Sequence, residues 1–301
     1  MRCFFRHQRR NQKKIRFETK NAAETIENII NAVQKLGCGK AIGISCGGPL
    51  DSKRGVILSP PNLPGWDNIE IIKILKEKFG VPVGIQNDAN ACALAEWLHG
   101  AGKKCENMIF LTFGTGMGAG IILNGRLYTG SSDMAGEIGH IRMEKYGPVG
   151  YGKAGSFEGF CSGSGIAEAG RFIAIEKLRC GENTSFCKSY KDLGGITAKK
   201  IAECAKNGDT AAIEVYNICA EQLGMGISIL IDILNPEKII IGSVYERSGE
   251  LLRTKMLEVI KEEALPQSRN VCEILPSALG DAVGDMAAMA VAENIWECEN
   301  L

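Results

Sequence analysis

The stretch LTFGTGMGAGIILNGRLYTG, residues 111–130, decides the fold. It opens on an apolar strand pattern and carries glycines at 114, 116, 118 and 120. A dinucleotide loop needs Gly-x-Gly-x-x-Gly opening a helix; here the glycines alternate and a strand, IIL at 121–123, follows. That rejects the dinucleotide reading. Asn124-Gly125 is a strong signal for a type I′ hairpin turn, and RLYTG reads as the returning strand. A strand, a Gly loop and a strand suit a clamp that aims backbone N–H groups at nucleotide phosphates. They suit equally a hairpin that needs glycine for tight packing.

On the N-terminal side, residues 22–36 have helical apolar spacing and Gly37 as a stop. A strand at 40–46, a turn-rich connection at 54–66, a helix at 68–79, a strand at 81–86 and a helix at 89–99 follow. Gly100-Ala101-Gly102 reads as a hinge. Past the hairpin, helical patterns lie around 164–178, 197–205, 209–233 and 248–262, with a strand at 238–241 ending in Gly242. A final helix covers 279–295. The pattern predicts a two-lobed α/β protein with mostly parallel pairing, its lobes 21–103 (joined by the closing segment 280–301) and 104–279. Proteins of this kind bind small ligands at the carboxyl ends of strands, in the cleft between lobes.

The chain has 301 residues, 45% hydrophobic and 23% charged, as in ordinary soluble globular proteins. No uninterrupted apolar run approaches the roughly 20 residues that span a bilayer, and no secretory signal is visible. Residues 1–16 hold seven basic residues (Arg2, Arg6, Arg9, Arg10, Lys13, Lys14, Arg16) and no acid, which leaves 28 basic against 35 acidic in the rest. An acidic body argues against nucleic acid as the main partner. Residues 1–20 read as a basic tail; a nucleic-acid arm is the competing reading, and it requires salt-dependent binding. The 12 cysteines are scattered, with no Cys-x-x-Cys or Cys-x-Cys pair, which speaks for free thiols in a reducing cytoplasm.

Four side chains stand out chemically. Asp88 ends a strand and can take a proton from an attacking hydroxyl; it can equally cap the helix that follows. Glu137 and His140, in AGEIGH, lie three residues apart, and Glu158 sits in GSFEG. Carboxylates with a neutral imidazole accept several hydroxyls of a sugar, although a structural histidine beside surface glutamates gives the same pattern.

Taken together, SPPNLPGW (59–66), QNDANACALAEW (86–97), the 111–130 stretch, AGEIGHIRM (135–143), GSFEGFCSGSGI (155–166) and PSALGDAVGDMAAMAVA (276–292) resemble the ROK family in order and spacing, from about residue 20 to the end. That family contains ATP-dependent hexose kinases and sugar-responsive repressors on the two-lobed actin-like ATPase (ribonuclease H-like) fold. The resemblance implies Asp88 as general base. It implies Asn62, Asn87, Glu137, His140 and Glu158 as sugar ligands. Gly114, Thr115 and Gly116 would meet ATP phosphates, with Gly242 near the adenosine. It implies ATP with Mg2+, a hexose of the glucose type as substrate, a cytoplasmic homodimer, and no membrane or nucleic-acid partner.

Two departures from the family pattern set further expectations. Many members hold a zinc beneath the sugar with the family's histidine and a C-x-C-G-x-x-G-C-x-E segment. Here VGYGKAGSFE (149–158) places Val149, Tyr151 and Ser156 at the cysteine positions, so no zinc is expected; Tyr151 and Phe157 would pack the loop instead. Family members also open with a small antiparallel sheet and a D-x-G-G-T phosphate loop. Residues 1–20 contain no glycine and no acid before Glu18, so the first lobe is expected to lack that opening β-hairpin sheet, with phosphate held from one side and poor turnover. The alternative function is a sugar-binding protein without catalysis, a sensor or a degraded kinase.

Overall fold

Arg2–Phe5 (β1) pairs antiparallel with Lys13–Arg16 (β2) in the computed structural model, which describes residues 2–5 and 13–300. The expectation of an opening segment without a hairpin sheet is therefore corrected. Arg6, Arg9 and Arg10 of the basic run lie outside the described residues. Charge misled the sequence reading because strand pairing uses the backbone, and long basic side chains can extend to solvent or to a carboxylate. Lys14 makes such a contact with Asp285 on the closing helix Val283–Asn300.

Two compact units divide the chain. The first comprises residues 1–104, 120–135 and 281–301, the second residues 105–119 and 136–280. In the first, α1 (Ala22–Leu36) is capped by Asn21, whose side chain accepts the Glu24 N–H at 2.9 Å. β3 (Ile42–Cys46) is followed by the short antiparallel pair β4 (Leu50–Asp51) and β5 (Val56–Ile57). α2 (Ile71–Phe79) then leads to β6 (Val83–Asn87), which runs parallel to β3, and β6 feeds directly into α3 (Asp88–His99). The core gathers Ile29 and Val33 of α1, Ile42 and Ile44 of β3, Val83 and Ile85 of β6, Ile71 and Leu75 of α2, and the fully buried Trp66. The Trp66 indole N–H donates to the Lys20 carbonyl at 3.2 Å.

The 111–130 stretch forms β7 (Met108–Phe113), β8 (Met117–Leu123) and β9 (Arg126–Tyr128). The turn predicted at Asn124-Gly125 is present, with φ of 50° and 66°, as type I′ requires. The Gly run is shorter as a loop than it reads, since the strand starts at Met117. Only Gly114–Gly116 make the turn. The run also divides its duties. At Gly120 a β carbon would lie 2.5 Å from the Ala89 carbonyl oxygen and from the Ala93 β carbon, so this glycine lets β8 approach α3. Of the two uses that the sequence left open, tight packing is observed at Gly120.

The five-stranded sheet has the order β13 (Glu273–Pro276), β12 (Lys238–Ile241), β7, β8, β9. A short hairpin, β10 (Val149–Gly150) with β11 (Lys153–Ala154), precedes the single-turn helix α4 (Phe157–Phe160). Helices α5 (Gly163–Arg179), α6 (Ala198–Lys206) and α7 (Thr210–Leu234) come next. β12 (Lys238–Ile241) pairs in parallel with β7 and with β13 (Glu273–Pro276), and α8 (Val244–Glu263) connects the two. α7 is long and apolar enough to cross a membrane by length and composition. It buries Val215, Tyr216, Cys219, Leu223, Ile227 and Ile231 inside the second unit and packs along α8, as a core helix does.

Candidate functional site

In the first unit, Asp88 is the first residue of α3 and is exposed. It does not cap the helix. Asn87 does, its side-chain oxygen accepting the Asn90 N–H at 2.7 Å. The Asp88 carboxylate accepts the neighbouring Ala89 N–H at 3.1 Å. The capping reading of Asp88 thus passes to its neighbour, and α3 presents a carboxylate at its start. Two thiols sense that carboxylate. Burial, and secondarily the Asp88 charge, push Cys46 up to about 11 and Cys92 up to about 12. Asn62 is exposed on the loop between Ser59 and Trp66; the loop closes through the Leu63 N–H on Pro60 O at 2.9 Å and the Ser59 N–H on Trp66 O at 3.1 Å.

The thiols give a testable expectation. Cys38, Cys180 and Cys298 are exposed, whereas Cys46, Cys92 and Cys161 are buried. Alkylation mapped by mass spectrometry at neutral pH should label the first three quickly and the second three only on unfolding. Burial raises the folded-state values of Cys46, Cys92 and Cys272 above the ordinary 9.0, to about 11, 12 and 12. Unfolded thiols lose their protons first, so stability present below pH 9 should fall as pH rises from about 9 towards 12. Denaturant midpoints across that range check the sign.

In the second unit, the Gly114–Gly116 turn closes with the Gly114 N–H on Gly116 O at 3.0 Å. It is anchored to the start of α5, where the Gly163 N–H donates to Gly114 O at 2.8 Å and the Ser164 hydroxyl to Thr115 O at 2.9 Å. Thr115 is exposed. A β carbon at Gly114 would meet only the Ser243 hydroxyl, at 3.8 Å, so the turn has room beside it. Gly242 follows β12, its N–H on Leu111 O at 3.1 Å. Ser243 follows at φ 57°, with its hydroxyl held by an Arg247 N–H at 2.8 Å.

Glu137 and His140 flank one 3₁₀ turn, Ile138–His140, and both are exposed. Glu137 precedes the turn as its cap residue and His140 is its last residue. The turn lies against β8. Gly136, at φ 94°, donates nothing sterically but its hydrogen: a β carbon there would sit 2.0 Å from the Ala119 carbonyl oxygen. The Ala119 N–H donates to Gly136 O at 2.8 Å. Glu158, on α4, accepts the Met117 N–H at 3.0 Å, so its carboxylate is docked on the end of the Gly turn. The second unit therefore brings Glu137, His140, Glu158 and the Gly114–Gly116 turn to the Met117–Ala119 end of β8.

The zinc positions do not suit the metal. Val149 carries no donor atom, Ser156 caps α4 by accepting the Gly159 N–H at 3.1 Å, and Tyr151 is exposed. His140 is the remaining nitrogen donor, where four ligands are needed. Among the described residues no cluster of three or more His, Cys, Asp or Glu is placed to hold a metal. The Tyr151 ring meets His140 edge-on at 6.4 Å, and Phe157 is buried.

Sequence reasoning missed Asp133. It lies buried at φ 58°, accepting the Ser52 N–H at 2.6 Å and the Ser52 hydroxyl at 2.8 Å within the first unit. Its only signal was an acidic residue between Gly130 and Gly136 just before AGEIGH. It also missed Glu96, fully buried, which accepts the Ala101 N–H at 2.8 Å and ties down the segment read as a hinge.

The ROK family profile matches residues 5–295. A glucokinase of Halalkalibacterium halodurans is 34% identical over 270 residues, spanning 88% of this chain and 80% of that protein. A xylose repressor of Caldicellulosiruptor bescii is 35% identical over 225 residues, spanning 74% of this chain and 55% of the repressor. A ROK family glucokinase from Streptomyces griseus, solved with glucose and AMPPNP, is similar in structure with a TM-score of 0.72 at 27% identity, covering 94% of this chain and 91% of that one.

Proposed function

This chain belongs to the ROK family, and on that premise we propose that it transfers the γ-phosphoryl group of ATP to a hydroxyl of a glucose-type hexose. Asp88 is the general base: its carboxylate takes the hydroxyl proton as the sugar oxygen forms its bond to phosphorus and ADP departs. Asn62, Asn87, Glu137, His140 and Glu158 hold the sugar. Asn87 spends its carbonyl oxygen on the helix cap, so its amide N–H groups are what it offers a hydroxyl. Glu158 ties sugar to nucleotide, because the same carboxylate accepts the Met117 N–H directly after the Gly114–Gly116 turn. That turn, with Thr115, meets the phosphates, and Gly242 with Ser243 lies beside the nucleoside. Magnesium brought by ATP would neutralise phosphate charge there.

The observation that carries this reading is Asp88 itself, exposed at the head of α3 while Asn87 performs the capping. The similarity to glucokinases at 34% identity, and to a structure containing glucose and AMPPNP, supports it. The similarity to a xylose repressor favours a second reading, sugar binding without phosphoryl transfer. A hexose panel assayed for ADP release with Mg-ATP, beside calorimetric titration of each sugar, separates the two. Sugar-dependent ADP release is the expected result; sugar binding with no ADP release would establish the second reading.

A further inference from the structure

His140 and Glu158 are separated by an excursion, residues 141–157, whose tip carries Val149, Tyr151 and Ser156 where a zinc site would need cysteines. Something else has to fix the two side chains relative to each other. The neck of the excursion is a backbone ladder: the Phe157 N–H donates to Ile141 O at 2.8 Å, and the Met143 and Glu144 N–H groups to Gly155 O at 2.8 and 3.0 Å. The tip is β10 and β11, turned by Tyr151 and Gly152 at φ 44° and 74°. Two cationic side chains then sew tip to neck. Arg142 donates to Ala154 O at 2.7 Å, and the Lys153 ammonium donates to the His140 carbonyl at 2.6 Å. The Ser156 hydroxyl caps α4, the helix bearing Glu158, and also reaches Gly150 O at 3.3 Å.

We propose that Lys153 is a positioning residue for the sugar site, its ammonium tying the β10–β11 hairpin to the main chain of His140 and so holding the imidazole without a metal. The proposal rests on the sugar-site reading of His140 and Glu158. The lysine acts at a carbonyl, so it alters where the His140 ring stands and leaves its chemistry untouched. A charge-assisted hydrogen bond at 2.6 Å to a backbone oxygen is among the stronger single contacts available to such a loop.

The test compares the parent chain with Lys153→Met, which keeps the stem, and Lys153→Arg, which keeps the donor. Hydrogen exchange followed by mass spectrometry reads the amides of residues 141–157, and calorimetry with glucose reads affinity. Lys153→Met should raise exchange across that segment alone and weaken glucose binding about tenfold, with kcat little changed, as loss of one charge-assisted hydrogen bond implies. Lys153→Arg should restore both to within about twofold. Exchange and affinity that match the parent in Lys153→Met would overturn the proposal, as would stoichiometric zinc in the purified protein by metal analysis. If the parent binds no hexose, the sugar reading fails by itself, and the exchange arm still decides whether Lys153 holds the hairpin.

Discussion

Asp88→Asn is expected to lower the rate of hexose phosphorylation by about 10²–10⁴-fold, the usual cost of losing a positioned base. Hexose affinity should stay within a few-fold, because Asn retains the shape and a hydrogen-bonding side chain. Folding should also be kept. The α3 cap belongs to Asn87, so the substitution removes a charge from an exposed first-turn position and little else. The loss of negative charge should also ease ionisation of Cys46 and Cys92 slightly, which alkaline thiol titration can detect. A variant with parental turnover would remove Asp88 from the chemistry.

Trp66→Ala should destabilise the first unit by about 3–5 kcal/mol, the range for deleting a large buried aromatic side chain. Trp66 is fully buried with Ile57, Ile71 and Leu75, and its indole N–H satisfies the Lys20 carbonyl just ahead of α1. Removing it leaves a cavity and an unpaired carbonyl together. The main chain of Trp66 closes the loop that carries Asn62, and loss of the buried ring unseats that main chain, so hexose affinity should fall with stability. Trp66→Phe keeps most of the ring and should cost markedly less. Denaturant midpoints of the two variants decide this; a shift for Trp66→Ala no larger than that of a surface substitution would contradict the placement of this core.

Much of this architecture was legible before any coordinates. Asn124-Gly125 permits few backbones, and the hairpin it predicts is the one observed. Helix α1 has the predicted limits because Asn21 and Gly37 mark both ends. The alternating Gly run was legible as a hairpin, but its division was not. Gly114 leaves room and Gly120 packs on α3, a difference set by which neighbours arrive from distant sequence. The opening strands escaped notice because half of their eight residues are cationic and the pairing is a matter of backbone. Among the candidate site residues, Glu137 and His140 could be paired by spacing. The docking of Glu158 on Met117 and of Lys153 on the His140 carbonyl could not, since a contact to the main chain leaves no mark on the residue that accepts it.

Phosphorylation of a hexose by this chain depends on Asp88. The most direct measurement incubates the parent chain and Asp88→Asn with glucose and Mg-ATP and identifies hexose monophosphate by mass spectrometry. The expected result is hexose phosphate from the parent, formed only with sugar and ATP both present, and little or none from Asp88→Asn. Equal hexose phosphate from both proteins, or hexose bound by the parent with none phosphorylated, would contradict it.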